Sequence, residues 1–296
     1  MLKTYGGLGP DALGSKTSRA TTPDSVNCRV SRGLRLACTA VLGALLAACA
    51  ILSPGDRVVE LHGHRVEVAS AGSGSPTIVL ESGLGDGLEP WRKVLPALAK
   101  LGHVFTYSRP GYDRSEWTGA PRDAGTVAQE LHQLLEAAGE RPPYVLVGHS
   151  LGGLYVQAYA ARYPSEVAGL VLVDSSHSDQ VQRTEAEAPR EAKLLAALTA
   201  TFVDPMRAEF HALGAGQLRF DSERPYAGPV MVLAADHVEF YASSQFAELH
   251  ARLEREIAAR YPAAELRHVD SHHYIQRERP QAVISAVADI LHKSAP

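Results

Sequence analysis

The stretch that most restricts how this chain can fold is Tyr144-Val145-Leu146-Val147-Gly148-His149-Ser150-Leu151-Gly152-Gly153, an apolar run that stops at a serine set between glycines. Val145 to Val147 are β-prone and uninterrupted, as in a buried parallel strand, while Leu154, Ala158 and Ala161 continue at helical spacing beyond the turn. Gly148, Ser150 and Gly152 fill the pattern G-x-S-x-G. A serine held in a sharp strand-to-helix turn leaves no room for bulky Cβ groups two positions to either side, which is the chemical reason for the glycines. The helix that starts there points its free N–H groups at the reacting centre, so an oxyanion formed on a carbonyl attacked by Ser150 would be stabilised. A glycine-rich turn with a spectator serine would read similarly, but the strand before and the helix after favour a nucleophile.

Around this stretch, strands and helices alternate. Arg57–Leu61 and His64–Val68 read as two strands of a hairpin around Gly63, Pro76–Glu81 as a third strand, and His103–Tyr107 as a fourth. Helices are predicted at Trp91–Leu98 and around Val127–Leu135. After the Ser150 helix come a strand at Gly169–Asp174, another at Pro229–Asp236, a helix at Ser243–Tyr261, a strand at Glu265–Val269 and a closing helix at Pro280–Lys293. This rhythm predicts a mostly parallel sheet with helices on both faces. It breaks between about 178 and 228, where helical material (Ala188–Leu198, Pro205–Leu213) carries no strand; the segment reads as a cap inserted over the site. The folded core is therefore expected at 54–177 and 229–296.

Residues 1–53 read differently. An aperiodic Gly, Ser, Thr and Pro-rich tail leads into Arg29, Arg32 and Arg35 and then a charge-free apolar stretch, Leu36–Leu52, the layout of a targeting signal. Within it, Leu46-Ala47-Ala48-Cys49 resembles the bacterial lipoprotein box, which makes Cys49 a lipidation candidate. A cleaved secretory signal and an uncleaved anchor are the alternatives. Each places the protein in the cell envelope or outside the cell, with membrane attachment through the N-terminal segment in two of the three.

Composition excludes several partners. A formal charge of −4 gives no basic field for nucleic acid, and all three cysteines lie at or before Cys49, so the core has no thiol nucleophile or disulfide. There is no His-Glu-x-x-His, P-loop or zinc spacing, and the loop Ser82-Gly83-Leu84-Gly85-Asp86-Gly87 lacks the G-x-G-x-x-G spacing of a dinucleotide site. No cofactor or metal is expected.

Taken together, residues 57 to 295 resemble the α/β-hydrolase fold family. Gly148-His149-Ser150-Leu151-Gly152-Gly153 looks like its nucleophile elbow, Arg109-Pro110-Gly111-Tyr112-Asp113-Arg114-Ser115 like its R-P-G-Y-G-x-S segment, and His273-Tyr274-Ile275-Gln276 like the segment carrying its histidine. The resemblance implies an α/β sandwich with a mostly parallel eight-stranded sheet, a helical cap and a triad in the order Ser, acid, His. Two departures stand out: Glu81-Ser82-Gly83-Leu84-Gly85 occupies the oxyanion loop where many members have His-Gly, and Asp113 replaces a glycine.

Ser150 needs a base to take its proton. Among 13 histidines, His273 fits best, with His272 falling at the family's glycine position. His149 reads as the variable residue of the turn, and His132 and His250 as helical surface positions. Two aspartates at strand ends could orient the base: Asp174, favoured because Val171-Leu172-Val173-Asp174-Ser175-Ser176-His177 resembles a subgroup with its acid there, and Asp236 as the alternative. The oxyanion donors should be the backbone N–H groups of Leu84 and Leu151. In the cap, Leu194, Leu195, Leu198, Phe202 and Phe210 either line an apolar acyl pocket or pack on the domain. The reading is a serine hydrolase cleaving a carboxylic ester or amide of a small acyl substrate through an acyl-enzyme. A proline-type aminopeptidase, a C–C bond hydrolase and a catalytically silent binding module of the same fold are the alternatives.

Overall fold

In the computed structural model, residues 57–217, 225–238 and 242–294 are described. The apolar stretch 36–52 and Cys49 lie outside them. Among the described residues no helix is long and apolar enough to cross a membrane.

The fold opens with a hairpin. β1 (Arg57–Leu61) and β2 (His64–Ala71) pair antiparallel with Leu61 opposite His64, and the two turn residues His62 and Gly63 both take positive φ, 52° and 81°. Such a two-residue turn matches the twist of the strands it joins. β3 (Thr77–Glu81), α1 (Leu95–Leu101) and β4 (Val104–Tyr107) follow. α2 (Ala124–Ala138) starts where the Asp123 side chain accepts the Thr126 N–H and stops at Gly139 in the left-handed region. Next come β5 (Tyr144–His149), α3 (Leu151–Arg162) and β6 (Val167–Val173). Among the described residues, three α-helices lie between β6 and the next strand: α4 (Gln180–Glu187), α5 (Pro189–Leu198) and α6 (Asp204–Gly214). β7 (Val230–Ala235), α7 (Ser244–Ala259), β8 (Ala264–Val269), the single turn α8 (Ile275–Glu278) and α9 (Pro280–Lys293) complete the chain.

The eight strands form one sheet in the order β1-β2-β4-β3-β5-β6-β7-β8, antiparallel at β1, β2 and β4 and parallel from β4 through β8. Every residue of β3, β5 and β7 is buried, as the unbroken apolar runs require of strands covered on both faces. Leu131, Leu134, Leu154, Tyr155, Tyr159 and Ile257 pack on one face. Trp91, Leu98, Val283, Val287 and Ile290 pack on the other. Each such large side chain contributes roughly 1.5–3 kcal/mol by leaving water, so the sheet is a fixed platform for whatever its loops carry.

Two helices were not legible in the sequence. α4 buries only Val181 and Thr184, too few apolar positions for a helical period to register, and α8 is a four-residue turn. The carboxyl ends of β3, β5, β6, β7 and β8 share one edge of the sheet, where open parallel sheets place their ligands. The loops after those strands assemble the site.

Candidate active site

Ser150 sits between β5 and α3 with φ 53° and ψ −122°, a conformation side-chain-bearing residues rarely adopt. What holds it there is close packing. A Cβ on Gly148 would lie 2.6 Å from the Gly152 carbonyl oxygen, and one on Gly152 would lie 2.4 Å from the carbonyl oxygens of Glu81 and Ser82. The first turn of α3 thus rests directly on the end of β3. The Ser150 N–H donates to Val173 O (3.1 Å) and its carbonyl accepts the Ser176 N–H (3.0 Å), which stitches the turn to the end of β6.

That end carries Asp174, also at positive φ (44°) and only 2% exposed. His273 Nδ1 donates to its Oδ2 at 2.6 Å. Its Oδ1 accepts the Ala235 N–H (2.9 Å) and faces His250 Nε2 at 3.2 Å. Asp236 lies elsewhere, 41% exposed at its side chain and paired with His268 Nδ1 at 3.0 Å. His272 turns to Glu278, with 3.3 Å between its Nδ1 and Oε2. Of the two aspartates and two loop histidines singled out in the sequence, the fold brings Asp174 and His273 together.

Three histidines differ from the sequence reading. His250 is only partly exposed: α7 buries Leu249, Leu253 and Ile257, and His250 stands against Asp174 with Glu254 one turn further. A polar group on a buried helix face is invisible to an apolar period. His149 is more than a variable turn position. Its ring is buried 4.7 Å from that of His273, its Nε2 donates to the His273 carbonyl oxygen (3.1 Å), and so it fixes the backbone of the loop that carries His273. His132 is partly buried as well, stacked on Tyr163 at 4.3 Å.

The loop 82–87 is gripped from below by Arg109. Its Nη1 donates to Glu81 Oε1 (2.7 Å) and Ser82 O (2.5 Å), its Nη2 to Gly83 O (2.7 Å), and Nε and Nη2 form a fork on Glu209 of α6 at 2.7 and 2.9 Å. Tyr112 adds its hydroxyl to Glu209 (2.7 Å). The loop so held passes close to the serine: a Cβ on Gly83 would be 3.3 Å from that of Ser150. Asp113 is accommodated because position 87 is a glycine; its Oδ2 accepts from Ser108 Oγ (2.7 Å) and Leu88 N (3.1 Å), where a Cβ on Gly87 would collide at 1.6 Å.

Burial governs the electrostatics. It would raise the Asp174 carboxyl, but hydrogen bonds and charge from His250 and His273 hold it well below the ordinary carboxylate range, so it is ionised. Burial, reinforced by the Asp174 charge, pushes Glu254 well up. It pushes His149 well down, with the His273 charge adding to the effect, so His149 is neutral.

A cavity of about 280 Å³ opens beside Asp174 and His273. Leu194, Leu195 and Leu198 of α5 and Phe246 of α7 form its apolar wall. Phe202 and Phe210 do not reach it; they pack edge to face with 5.7 Å between ring centroids. Among the described residues, the set able to hold a metal ion is Asp174, His250 and Glu254.

Comparison with known proteins bears on the same segments. The family model of the alpha/beta hydrolase fold matches residues 76–237, more than half of the chain. The uncharacterised protein YqjL of Bacillus subtilis (strain 168) is 35% identical over 108 residues, 36% of this chain and 43% of that protein. Human (Lyso)-N-acylphosphatidylethanolamine lipase is 32% identical over 100 residues, 33% of this chain and 29% of the lipase. The chain thus spans less than half the length of these curated relatives. Among solved structures, the enol-lactonase of Burkholderia xenovorans LB400 superposes with a TM-score of 0.60 at 23% identity, covering 80% of this chain and all (100%) of the lactonase.

Proposed function

The chain belongs to the α/β-hydrolase fold family, and on that premise we propose that it is a serine hydrolase that cleaves a carboxylic ester through an acyl-enzyme on Ser150. The observation that carries the reading is the 2.6 Å bond from His273 Nδ1 to a buried, ionised Asp174. With Nδ1 turned to Asp174, Nε2 of His273 is the atom that takes the Ser150 proton as Oγ attacks the substrate carbonyl. Asp174 stays ionised throughout and stabilises the imidazolium. The tetrahedral intermediate's oxygen is received by the N–H groups of Leu84 and Leu151, the first from the loop clamped by Arg109 and the second from the open start of α3. The imidazolium then protonates the leaving alcohol, water enters, and His273 repeats the cycle to release the acid.

The apolar wall of Leu194, Leu195, Leu198 and Phe246 favours an acyl group of carbon and hydrogen over a charged one. The relatives named above include a lipase and a lactonase, in keeping with acyl–oxygen cleavage. The apolar stretch 36–52 and Cys49 support a place in the cell envelope, tested by the mass of the mature protein from its native host.

Fluorophosphonate labelling of the full chain tests the machinery. The wild type is expected to label, and Ser150→Ala and His273→Ala to lose labelling. A folded wild type that stays unlabelled would overturn the reading in favour of a silent binding module.

A further inference from the structure

The back of the Asp174 carboxylate faces a second set of groups that the proposed reaction does not use. His250 and Glu254 stand one turn apart on α7, the i, i+4 spacing that puts two side chains on one helix face. Donor atoms of Asp174, His250 and Glu254 all lie within 4.8 Å of one another. Glu254 is 1% exposed, and neither of its carboxylate oxygens has a hydrogen-bond partner among the described residues. A buried carboxylate without a partner is costly and rare. A proton would remove its charge but leave an O–H with no acceptor. A cation would satisfy both oxygens at once.

We propose that Asp174, His250 and Glu254 form a binding site for a divalent transition ion of the zinc type. Two carboxylates and a neutral imidazole balance the charge of such an ion, and both donor classes suit it. The spacing also fits: the edge of a tetrahedron with metal–ligand bonds of about 2.0 Å is roughly 3.3 Å, and His250 Nε2 stands 3.2 Å from Asp174 Oδ1. On binding, the proton on His250 Nε2 is lost to water and the ring keeps one hydrogen on Nδ1, so that the ligand is a neutral imidazole. Asp174 and His250 line the cavity, which supplies both the path of entry and a fourth position for water.

Binding there has a consequence that rests on the triad reading, although the site itself does not. An ion on Oδ1 draws on the negative charge that Oδ2 offers to His273, so the imidazolium formed during catalysis is less stabilised and turnover falls. The ion is an inhibitor, removed by a chelator.

The test uses the untagged full chain, stripped with chelator and titrated with Zn²⁺ against a chromogenic competitor, with ester hydrolysis followed in parallel. Wild type and Ser150→Ala are expected to bind one ion. Glu254→Gln, and His250→Gln should the first variant not fold, are expected to lose more affinity than the roughly 10–100-fold that removing an outer-shell partner of a metal ligand costs. Wild-type activity should fall as the ion binds and return with chelator, while the activity of Glu254→Gln, whatever its basal level, should ignore zinc. The cysteines before residue 50 are common to all variants and cancel. Equal zinc affinity in wild type and Glu254→Gln would overturn the site. Zinc bound at Glu254 with activity undiminished would overturn the inhibition and remove Asp174 from the triad, while leaving the site.

Discussion

Two buried polar clusters flank Ser150, and they are built on opposite terms. On one side Arg109 spends all five of its N–H donors: two on Glu209, one on Glu81 and two on the carbonyls of Ser82 and Gly83. On the other, Asp174 has both oxygens engaged, but the Glu254 carboxylate below it has no hydrogen-bond partner among the described residues. A closed cluster has one low-energy arrangement and so fixes the loop it touches. An open one keeps capacity for a proton or an ion. The first can set geometry, and the second can respond to conditions.

The largest effect should come from the group the two histidines share. Asp174→Asn keeps the shape but no longer holds His273 in the right tautomer, and is expected to lower kcat by about 10⁴-fold, the order seen when a triad acid is so changed. Asp236→Asn, on the exposed His268 pair, should change little. Equal losses in steady-state ester hydrolysis would refute the assignment of the acid.

Breaking the closed cluster should cost stability before it costs chemistry. Arg109→Met leaves Glu81 and Glu209 buried without their cation, and removing one partner of a buried pair costs about 3–5 kcal/mol. Chemical denaturation should show that loss. A variant nearly as stable as wild type would mean that Glu81, whose carboxyl burial already pushes up despite the Arg109 charge, is protonated and needs no partner. A finer change tests what the clasp is for. Leu84→Pro deletes one N–H from the clamped loop and should cost on the order of 3 kcal/mol of transition-state stabilisation, read in kcat with the fold intact by circular dichroism. An undiminished kcat would move the oxyanion donor to another residue of the loop.

The two clusters also differ in how far the sequence revealed them. The elbow is local: strand, glycines, serine and helix lie within one short stretch, and packing holds Gly148 and Gly152 there, so the strand, turn and helix read from it recur in the structure. Arg109 was visible as part of a motif, but its partner Glu209 lies 100 residues away on α6, and no local pattern joins them. The preference for Asp174 over Asp236 depended on a resemblance, because two strand ends with the same residue look alike until the fold decides which one meets His273. His250 and Glu254 were illegible for a stronger reason. Polar residues on an amphipathic helix are ordinarily its wet face, and only the seating of α7 on the sheet turns these two inward.

The smallest effect separates the open cluster from an ordinary buried acid. Burial and the Asp174 charge raise the folded-state pKa of Glu254 above its ordinary 4.5, so across the interval between the two values the native protein holds a proton that the unfolded chain has released. Its contribution is complete below the ordinary value and is lost as pH rises through the folded one. Asp174 has the opposite sign, with stability lost only as pH falls through a pKa held well below the ordinary range, and it is common to both proteins. In chelator-treated samples, Glu254→Gln should therefore match the wild type in Tm near pH 4 and exceed it by a growing margin toward pH 8. Zinc should then narrow the gap at pH 8 by raising the wild type alone, because an ion bound only to the folded state adds stability that the glutamine variant cannot gain. A difference in Tm that stays constant with pH would mean that the Glu254 carboxyl is satisfied in solution, and the contrast between the two clusters would fall with it.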